Sequence, residues 1–537
     1  MADCLSFRKT GFFSNLITDY IEEKQDLKPF YNRFPTIKNF KSQIDEKKST
    51  YDQSNREALV EVLQTQYSSL STSEATQHHI DLLNEDSTFT VTTGHQLNLF
   101  TGPLYFLYKI VSTLNLAKQL KSNYPDFNFV PVYWMASEDH DFEEINFFNF
   151  KDKKIRWEKA AKGPVGHLST SGLEKVAKQI EKEFGKSENA EYLKGLFKIA
   201  YLNHDNLAEA TQFLANELFG KEGLVILDAD DARLKSRFDH YIKDDLIHHT
   251  SFKETEKQAG VLSDLGYSVQ VNPREINLFY MLEGLRERIV KKDQKYYVLE
   301  TDMEFTKDEI LELVDQHPER FSPNVVMRPL YQEVLLPNLA YIGGGGEQAY
   351  WLELKSLFDA SSVTFPILML RNSVLLYSDK VSKKIKKLEA DIYDLFLSPE
   401  QLEALQTRRN SKIKIDFHKQ KQTLHQQFAE LYDLASKTDH SFYGAVAAQE
   451  KKQKNGLDHL EKRLLKAQKK KLKQQNERIL ELQSELFPGR SLQERQLNFS
   501  EIFVDYGERL IPKLLNELDP FQFDFICLEL DIYNTKQ

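Results

Sequence analysis

Four stretches of this sequence set chemically capable side chains at spacings a fold can use. The first is Thr92-Thr93-Gly94-His95-Gln96-Leu97-Asn98-Leu99-Phe100-Thr101-Gly102-Pro103-Leu104. Gly94 can let the chain turn sharply out of a strand. Thr101 or Gly102 can cap the helix that follows, with Pro103 at its first position. The N-terminus of such a helix offers unpaired N–H groups and partial positive charge, both suited to phosphate. His95 and Gln96 would stand beside it as donors. The glycine spacing matches neither the Walker nor the dinucleotide pattern, and the residues also read as a capped turn with a solvated His95 and Gln96.

The second stretch is Trp134-Met135-Ala136-Ser137-Glu138-Asp139-His140-Asp141-Phe142-Glu143-Glu144. Glu138, Asp139, His140 and Asp141 could hold a metal or an amine, or act as general acid and base. Consecutive strand residues point opposite ways, so all four cannot face one ligand. The alternative is an acidic helix start that complements the helix dipole. The third, Tyr341-Ile342-Gly343-Gly344-Gly345-Gly346-Glu347-Gln348-Ala349-Tyr350-Trp351, offers close backbone approach and a nest of N–H groups. A glycine hinge is the other reading. The fourth is Leu370-Arg371-Asn372-Ser373, where Arg371 could clamp a phosphate or carboxylate, or sit in a salt bridge.

The elements that must carry these residues are legible from periodicity. Phe89-Thr90-Val91-Thr92 reads as a strand stopping at Gly94, and Leu104 to Leu120 as a helix. Phe129–Met135 is almost wholly apolar, as a strand buried on both sheet faces should be. Strand, glycine turn, helix and apolar strand make a βαβ unit, which predicts a parallel α/β sheet with right-handed crossovers. Further core strands are expected at Leu224–Leu227 and Pro366–Leu370, each ending in polar residues. Ligands of open parallel sheets bind beyond such carboxyl ends.

The chain then divides into core with N-terminal helices over 1–150, a lysine-rich helical insert over 151–215 and core over 216–264. A second insert over 265–340 carries short strands at Tyr267–Val271 and Lys295–Leu299, and core resumes over 341–378. From 379 to 487 glycine nearly vanishes. Val381, Ile385, Leu388, Ile392 and Leu395 form a heptad seam. Phe417, Leu424, Phe428 and Leu431 continue it, and Leu457, Leu460, Leu464 and Ala467 form a third run. The seam shifts to Leu465, Leu472, Ile479, Leu482 and Leu486, a change of register. An antiparallel helical arm is expected, with residues 488–537 packing back on the core.

Composition narrows the function. A chain of 537 residues, 41% hydrophobic and 28% charged, is globular and holds several structural units. Its net charge of −10 argues against a general nucleic-acid binder. The lysines of Lys466–Lys473 lie in a heptad helix and read as a solvated face. His78-His79 and His248-His249 lack a metal-ligand pattern and read as surface residues. Only Cys4 and Cys527 are present, which fits a reducing compartment and makes thiol catalysis unexpected. The first 20 residues show no signal-peptide pattern and no apolar run approaches a membrane span, so the cytoplasm is the expected location.

Taken in order, TTGHQLNLFTGPLY, PVYWMASEDHDFEEIN, YIGGGGEQAYW, PILMLRNS and the long heptad segment resemble the bacillithiol-biosynthesis cysteine-adding enzymes. The resemblance implies a Rossmann-like parallel-sheet core with two inserted connecting segments and an α-helical coiled-coil domain that forms a homodimer. It implies a cysteine ligase joining L-cysteine to the amine of glucosaminyl-malate, with ATP or ADP, and Mg²⁺ where required, activating the carboxylate. Thr93-Gly94-His95-Gln96 takes the place of the first nucleotide signature of class I aminoacyl-tRNA-synthetase-like cores without its two-histidine pattern. Arg371-Asn372-Ser373 does not reproduce the lysine-rich second signature. Adenylate and acyl-phosphate routes both stay open.

On this basis His95, Gln96, Asp139, Asp141 and Arg371 are the candidate catalytic residues. Thr93, Gly94, Gly102, Gly344, Gly345 and Gly346 are the candidate cofactor-binding positions. Asn98, Glu138, His140, Glu347, Tyr350, Trp351, Asn372 and Ser373 are the candidates for substrate, and no residue is assigned to a metal. The expected partners are the small-molecule substrates and a second copy of the chain. A nucleotide-binding coiled-coil scaffold and a glycosyl- or nucleotidyl-transferase are the competing classes.

Overall fold

Five parallel strands carry the site in the computed structural model, which describes residues 3–531. They are β1 (Thr88–His95), β2 (Asn128–Met135), β3 (Val225–Asp228), β4 (Asn338–Gly343) and β5 (Ile367–Leu370). Their order across the sheet is β5-β4-β1-β2-β3. The first strand is central and the chain winds outward on both sides, so the strand order reverses between β1 and β4. That reversal is where a doubly wound sheet opens a ligand crevice. β1 is buried along its whole length, as a strand covered on both faces must be. Pro131 sits within β2, where its missing N–H would disrupt a ladder. Pairing with β3 begins only at Val132, so the defect falls beyond that ladder.

The crossover helix α1 (Tyr105–Asn123) and the N-terminal helix Ile37–Thr50 pack Leu116, Leu120, Phe40 and Ile44 onto the sheet residues Phe89, Val91 and Ile342. The N-terminal region is mostly helical as expected, with Asp3–Ser6 pairing antiparallel to Asp524–Leu530. The first insert supplies the helices Leu173–Glu183, Glu188–Leu202 and Leu207–Phe219. The second builds a five-stranded sheet in which Leu278–Leu282, Leu285–Lys292 and Lys295–Val298 pair antiparallel.

Two expectations about local structure are corrected. Tyr267–Val271 is not a strand, because Glu353 accepts hydrogen bonds from the Gln270 and Val271 backbone N–H groups at 2.7 and 3.3 Å. Neither Thr101 nor Gly102 caps the helix after β1. A 3₁₀ turn, Leu99–Thr101, intervenes, with Phe100 and Thr101 at positive φ, and α1 starts at Tyr105. Distant groups hold this turn: the Asn498 side chain donates to the Phe100 and Gly102 carbonyls at 2.7 and 2.6 Å.

The described chain separates into two compact units, residues 3–375 with 492–528, and residues 376–491 with 529–531. The second is helical: Asp379–Lys387, Pro399–Asn410, His418–Ala435, His440–Lys471 and Lys473–Leu486. The first heptad seam is not one helix. It breaks after Lys387, with Glu389 at positive φ, and resumes as the 3₁₀ segment Ile392–Phe396. Val381, Ile385, Ile392 and Leu395 are nonetheless all buried, so the apolar spacing records burial rather than continuous helix. The shifted seam starts at Leu465, inside the helix His440–Lys471, and the chain breaks at its next member, Leu472, between the last two helices. Among the described residues no helix is long and apolar enough to cross a membrane.

Candidate active site

The carboxyl ends of β1, β2, β4 and β5 open into a cleft of about 680 Å³. Gly94, His95 and Gln96 follow from β1, Ala136 to His140 from β2, Gly344 to Glu347 from β4, and Arg371 from β5. Residues 272–288 and Pro323–Arg328 of the second insert supply the remaining walls with Tyr105, Lys109, Tyr350 and Arg495. Seven basic side chains line it against three carboxylates, in a chain of net charge −10. The cleft therefore suits anionic ligands.

Its floor is built from buried ion pairs. Lys109 projects from α1 and donates to the Gly94 carbonyl at 2.7 Å and to Glu347 at 2.8 Å. Glu347, on the short helix Gly345–Trp351, also accepts from Tyr341 Oη at 3.0 Å and Gly344 N at 2.8 Å. Burial would push the Glu347 carboxyl up, but Lys109 and the other donors outweigh it and hold it below the usual range. The four glycines are thus not an open nest: Gly343 ends β4 and the Gly344 N–H is already taken by Glu347. Arg371 donates to Glu494 at 2.7 Å and to the Asn372 carbonyl at 2.9 Å, leaving its buried Nε without a partner. Arg328 Nη2 is buried and unpartnered as well. Orphan donors of this kind are costly unless a ligand completes them.

His95 is held neutral. Burial, then Lys109, drives its pKa far below the usual histidine range. A hydrogen bond to the Thr101 backbone partly opposes the shift, as donation from the ring to a carbonyl would. Nε2 has no partner. The ring therefore offers an acceptor rather than the anion-stabilising donor expected from the sequence. Gln96 donates to Asp139 at 2.8 Å and Glu144 at 3.0 Å, which fixes Asp139 at the rim.

A second charged cluster lies beyond β2 and β3. Lys235, buried, contacts Glu138 at 2.5 Å and Asp230 at 2.6 Å, and His167 contacts Asp230 at 2.8 Å. Burial pushes the Glu138 carboxyl up against the pull of Lys235. Burial also opposes ionisation of Asp230, but Lys235 and His167 prevail and hold it at about 2. The hydrogen bond to Asp230 raises the half-exposed His167 above its ordinary value of 6.5. A histidine raised by folding contributes its stability in full below 6.5 and loses it as pH rises through the folded value. Urea unfolding as a function of pH should show this loss in the native chain and not in His167→Ala; parallel curves for the two would contradict it.

The structure thus brings Gly94, His95, Gln96, Glu138, Asp139, His140, Gly344, Gly345, Gly346, Glu347, Tyr350 and Arg371 to one cleft. Seven other sequence candidates do not line it. The Thr93 hydroxyl donates within the sheet to the Ile342 carbonyl. Asn98 packs its Cβ against Gly102. Asp141 caps the turn Phe142–Ile145. Trp351 is buried and stacked on Tyr341. Asn372 is held by Ser112 and the Asp519 carbonyl, and Ser373 accepts from Arg371. Sequence reasoning missed Lys109, Arg274, Arg286, Arg288, Arg328, Lys235 and Glu494. Only Lys109 left a local signal, a lone lysine beside Leu107, Ile110 and Val111 in an apolar helix.

A doubly wound sheet with a ligand-sized, cation-rich cleft at its switch point defines a Rossmann-like α/β protein. The chain belongs to the BshC family of bacillithiol biosynthesis: residues 1–372 match its N-terminal Rossmann-like domain and residues 374–530 its C-terminal coiled-coil domain. It is 58% identical to BshC of Christiangramia forsetii over 98% of both chains. It is 57% identical to BshC of Flavobacterium johnsoniae, over 97% of this chain and 98% of that one. BshC of Cytophaga hutchinsonii is 37% identical over 96% and 97%. All three relatives carry the provisional name cysteine ligase. Family and fold class agree with the resemblance read from the motifs.

Proposed function

We propose that this protein joins L-cysteine to the amine of glucosaminyl-malate, the last step of bacillithiol assembly. The observation that carries the reading is the cleft at the β1–β4 switch point, where buried arginine donors stand unpartnered beside a raised carboxyl. The names of the relatives support the same chemistry. ATP or ADP would transfer a phosphoryl or adenylyl group to the cysteine carboxyl, making phosphate or AMP the leaving group, and Arg371 Nε and Arg328 Nη2 are the donors suited to hold it. Glu138 takes the proton as the amine forms its bond to the carbonyl carbon and the carbon–oxygen bond to the leaving group breaks. His95 Nε2 accepts from an ammonium or amine N–H, and Asp139 orients the cysteine ammonium.

Mass spectrometry of the purified chain with glucosaminyl-malate, cysteine, ATP and Mg²⁺, with each omitted in turn, tests the reading. Product that requires ATP supports it, and AMP or ADP identifies the route. Substrates left intact in the complete mixture count against it.

The proposal includes a homodimer. Leu431, Leu434, Phe442, Tyr443 and Leu460 are exposed on paired helices of the second unit, where a second copy would cover them. Sedimentation should give a dimer that Leu434→Glu with Leu460→Glu converts to monomer. A native monomer at every concentration would oppose it.

A further inference from the structure

The second insert contributes a basic wall to the cleft that the chemistry above does not use. Arg286 and Arg288 are two apart on the strand Leu285–Lys292, so they share a face and stand about 7 Å apart along it. Phe279 pairs with Arg288 across the hairpin, and the Arg286 guanidinium lies 3.9 Å over its ring. Arg274 lines the same cleft from the segment before the hairpin.

These arginines differ from the paired cations of the floor. Arg286 is buried and donates to Ser322 Oγ at 3.0 Å, the Pro323 carbonyl at 3.2 Å and His140 Nδ1 at 2.7 Å. All three acceptors are uncharged or held neutral, and a guanidinium has five N–H donors. Among the described residues no carboxylate lies within ion-pair distance of Arg274, Arg286 or Arg288. The side chains of Arg274 and Arg288 also have no hydrogen-bond partner there. A buried guanidinium without a counter-ion is costly. Arg286 is nonetheless locked in one orientation by its neutral acceptors; Glu138, Asp139 and Asp230 offset its charge only from beyond ion-pair distance.

We propose that Arg274, Arg286 and Arg288 form an anion subsite that recognises the dicarboxylate end of the acceptor. This rests on the reading of the acceptor as glucosaminyl-malate. The leaving phosphate belongs at the strand ends, beside Arg371 and Arg328, on a different element from this wall. The malyl group carries the acceptor's only carboxylates, and two guanidiniums on one strand face can each engage one. The subsite selects the malyl glycoside over a glucosaminide without carboxylates, because that analogue would leave these donors unpaired.

Binding, which does not depend on turnover, tests this. Calorimetry on the full chain compares glucosaminyl-malate, free malate, methyl glucosaminide and ATP, for the native protein and for Arg274→Gln and Arg288→Gln. Each substitution should weaken glucosaminyl-malate and malate roughly 10- to 100-fold, the loss of a charge-assisted hydrogen bond. Methyl glucosaminide and ATP should bind each variant as they bind the native chain. Arg274 is exposed and Arg288 partly so, and thermal unfolding checks that both variants are folded. Unchanged malyl binding in both variants, no malyl binding to the native chain, or loss confined to ATP would each overturn the subsite. Retained malyl selectivity in a chain that forms no product would sink the ligase reading and leave the subsite standing.

Discussion

Arg371→Ala is expected to cost about 3–5 kcal/mol of stability and to abolish turnover. Its partner Glu494 is 1% exposed and also accepts from the Val374 backbone at 3.1 Å. Removing the guanidinium leaves that carboxylate buried without a counter-charge, the most damaging way to break a buried pair. The unpartnered Nε, the donor proposed for the activated carboxyl, disappears with it. Two variants separate the effects. Arg371→Lys keeps the charge near Glu494 but loses the planar fork, so most stability should return while activity stays low. Arg371→Met with Glu494→Leu removes both charges, and should refold without regaining turnover. Urea unfolding and product assays on the three variants are the measurements. Full activity in Arg371→Lys would remove Nε from the chemistry.

Glu138→Gln is expected to lower the rate roughly 100- to 10,000-fold, the usual contribution of a general base. Glutamine keeps the shape and an oxygen for Lys235, which retains Asp230 and the Glu319 carbonyl at 3.1 Å, so the fold should hold. In the native chain the carboxyl must be ionised to accept the amine proton. Because burial raises its pKa, activity should fall as pH drops through that raised value. The acidic limb of the rate profile should be missing in Glu138→Gln. A variant that keeps both the rate and the limb would transfer the role to Asp139.

Part of this site was written in local spacing. The apolar run Phe129–Met135, the strand stopping near Gly94 and the polar residues after β2 and β5 all follow from what a buried parallel strand requires. Together with the glycine run Gly343–Gly346 and the residues after it, they led to the parallel sheet and to twelve residues of the cleft. The failures share a cause. Its neighbours make Thr101 or Gly102 look like a cap, but Asn498, 396 residues from Gly102 in sequence, fixes the turn. Tyr267–Val271 alternates like a strand, but Glu353 satisfies its N–H groups from a separate segment. Asn372 and Ser373 follow Arg371 in the chain, yet Asn372 is held by Ser112 and the Asp519 carbonyl and Ser373 accepts from Arg371, and neither lines the cleft.

The sequence by itself determined the parallel core, the helical second unit and the family, because burial periodicity and motif order are properties of neighbouring residues. Only the tertiary structure decided which charges meet. Lys109 and Glu347 are 238 residues apart, and Arg371 and Glu494 are 123. No spacing rule reaches that far: an ion pair depends on where two elements dock. The same docking strips His95 of its positive charge through burial beside Lys109, raises Glu138 in its pocket and places Arg274, Arg286 and Arg288 on the cleft wall with no carboxylate of the described residues at ion-pair distance.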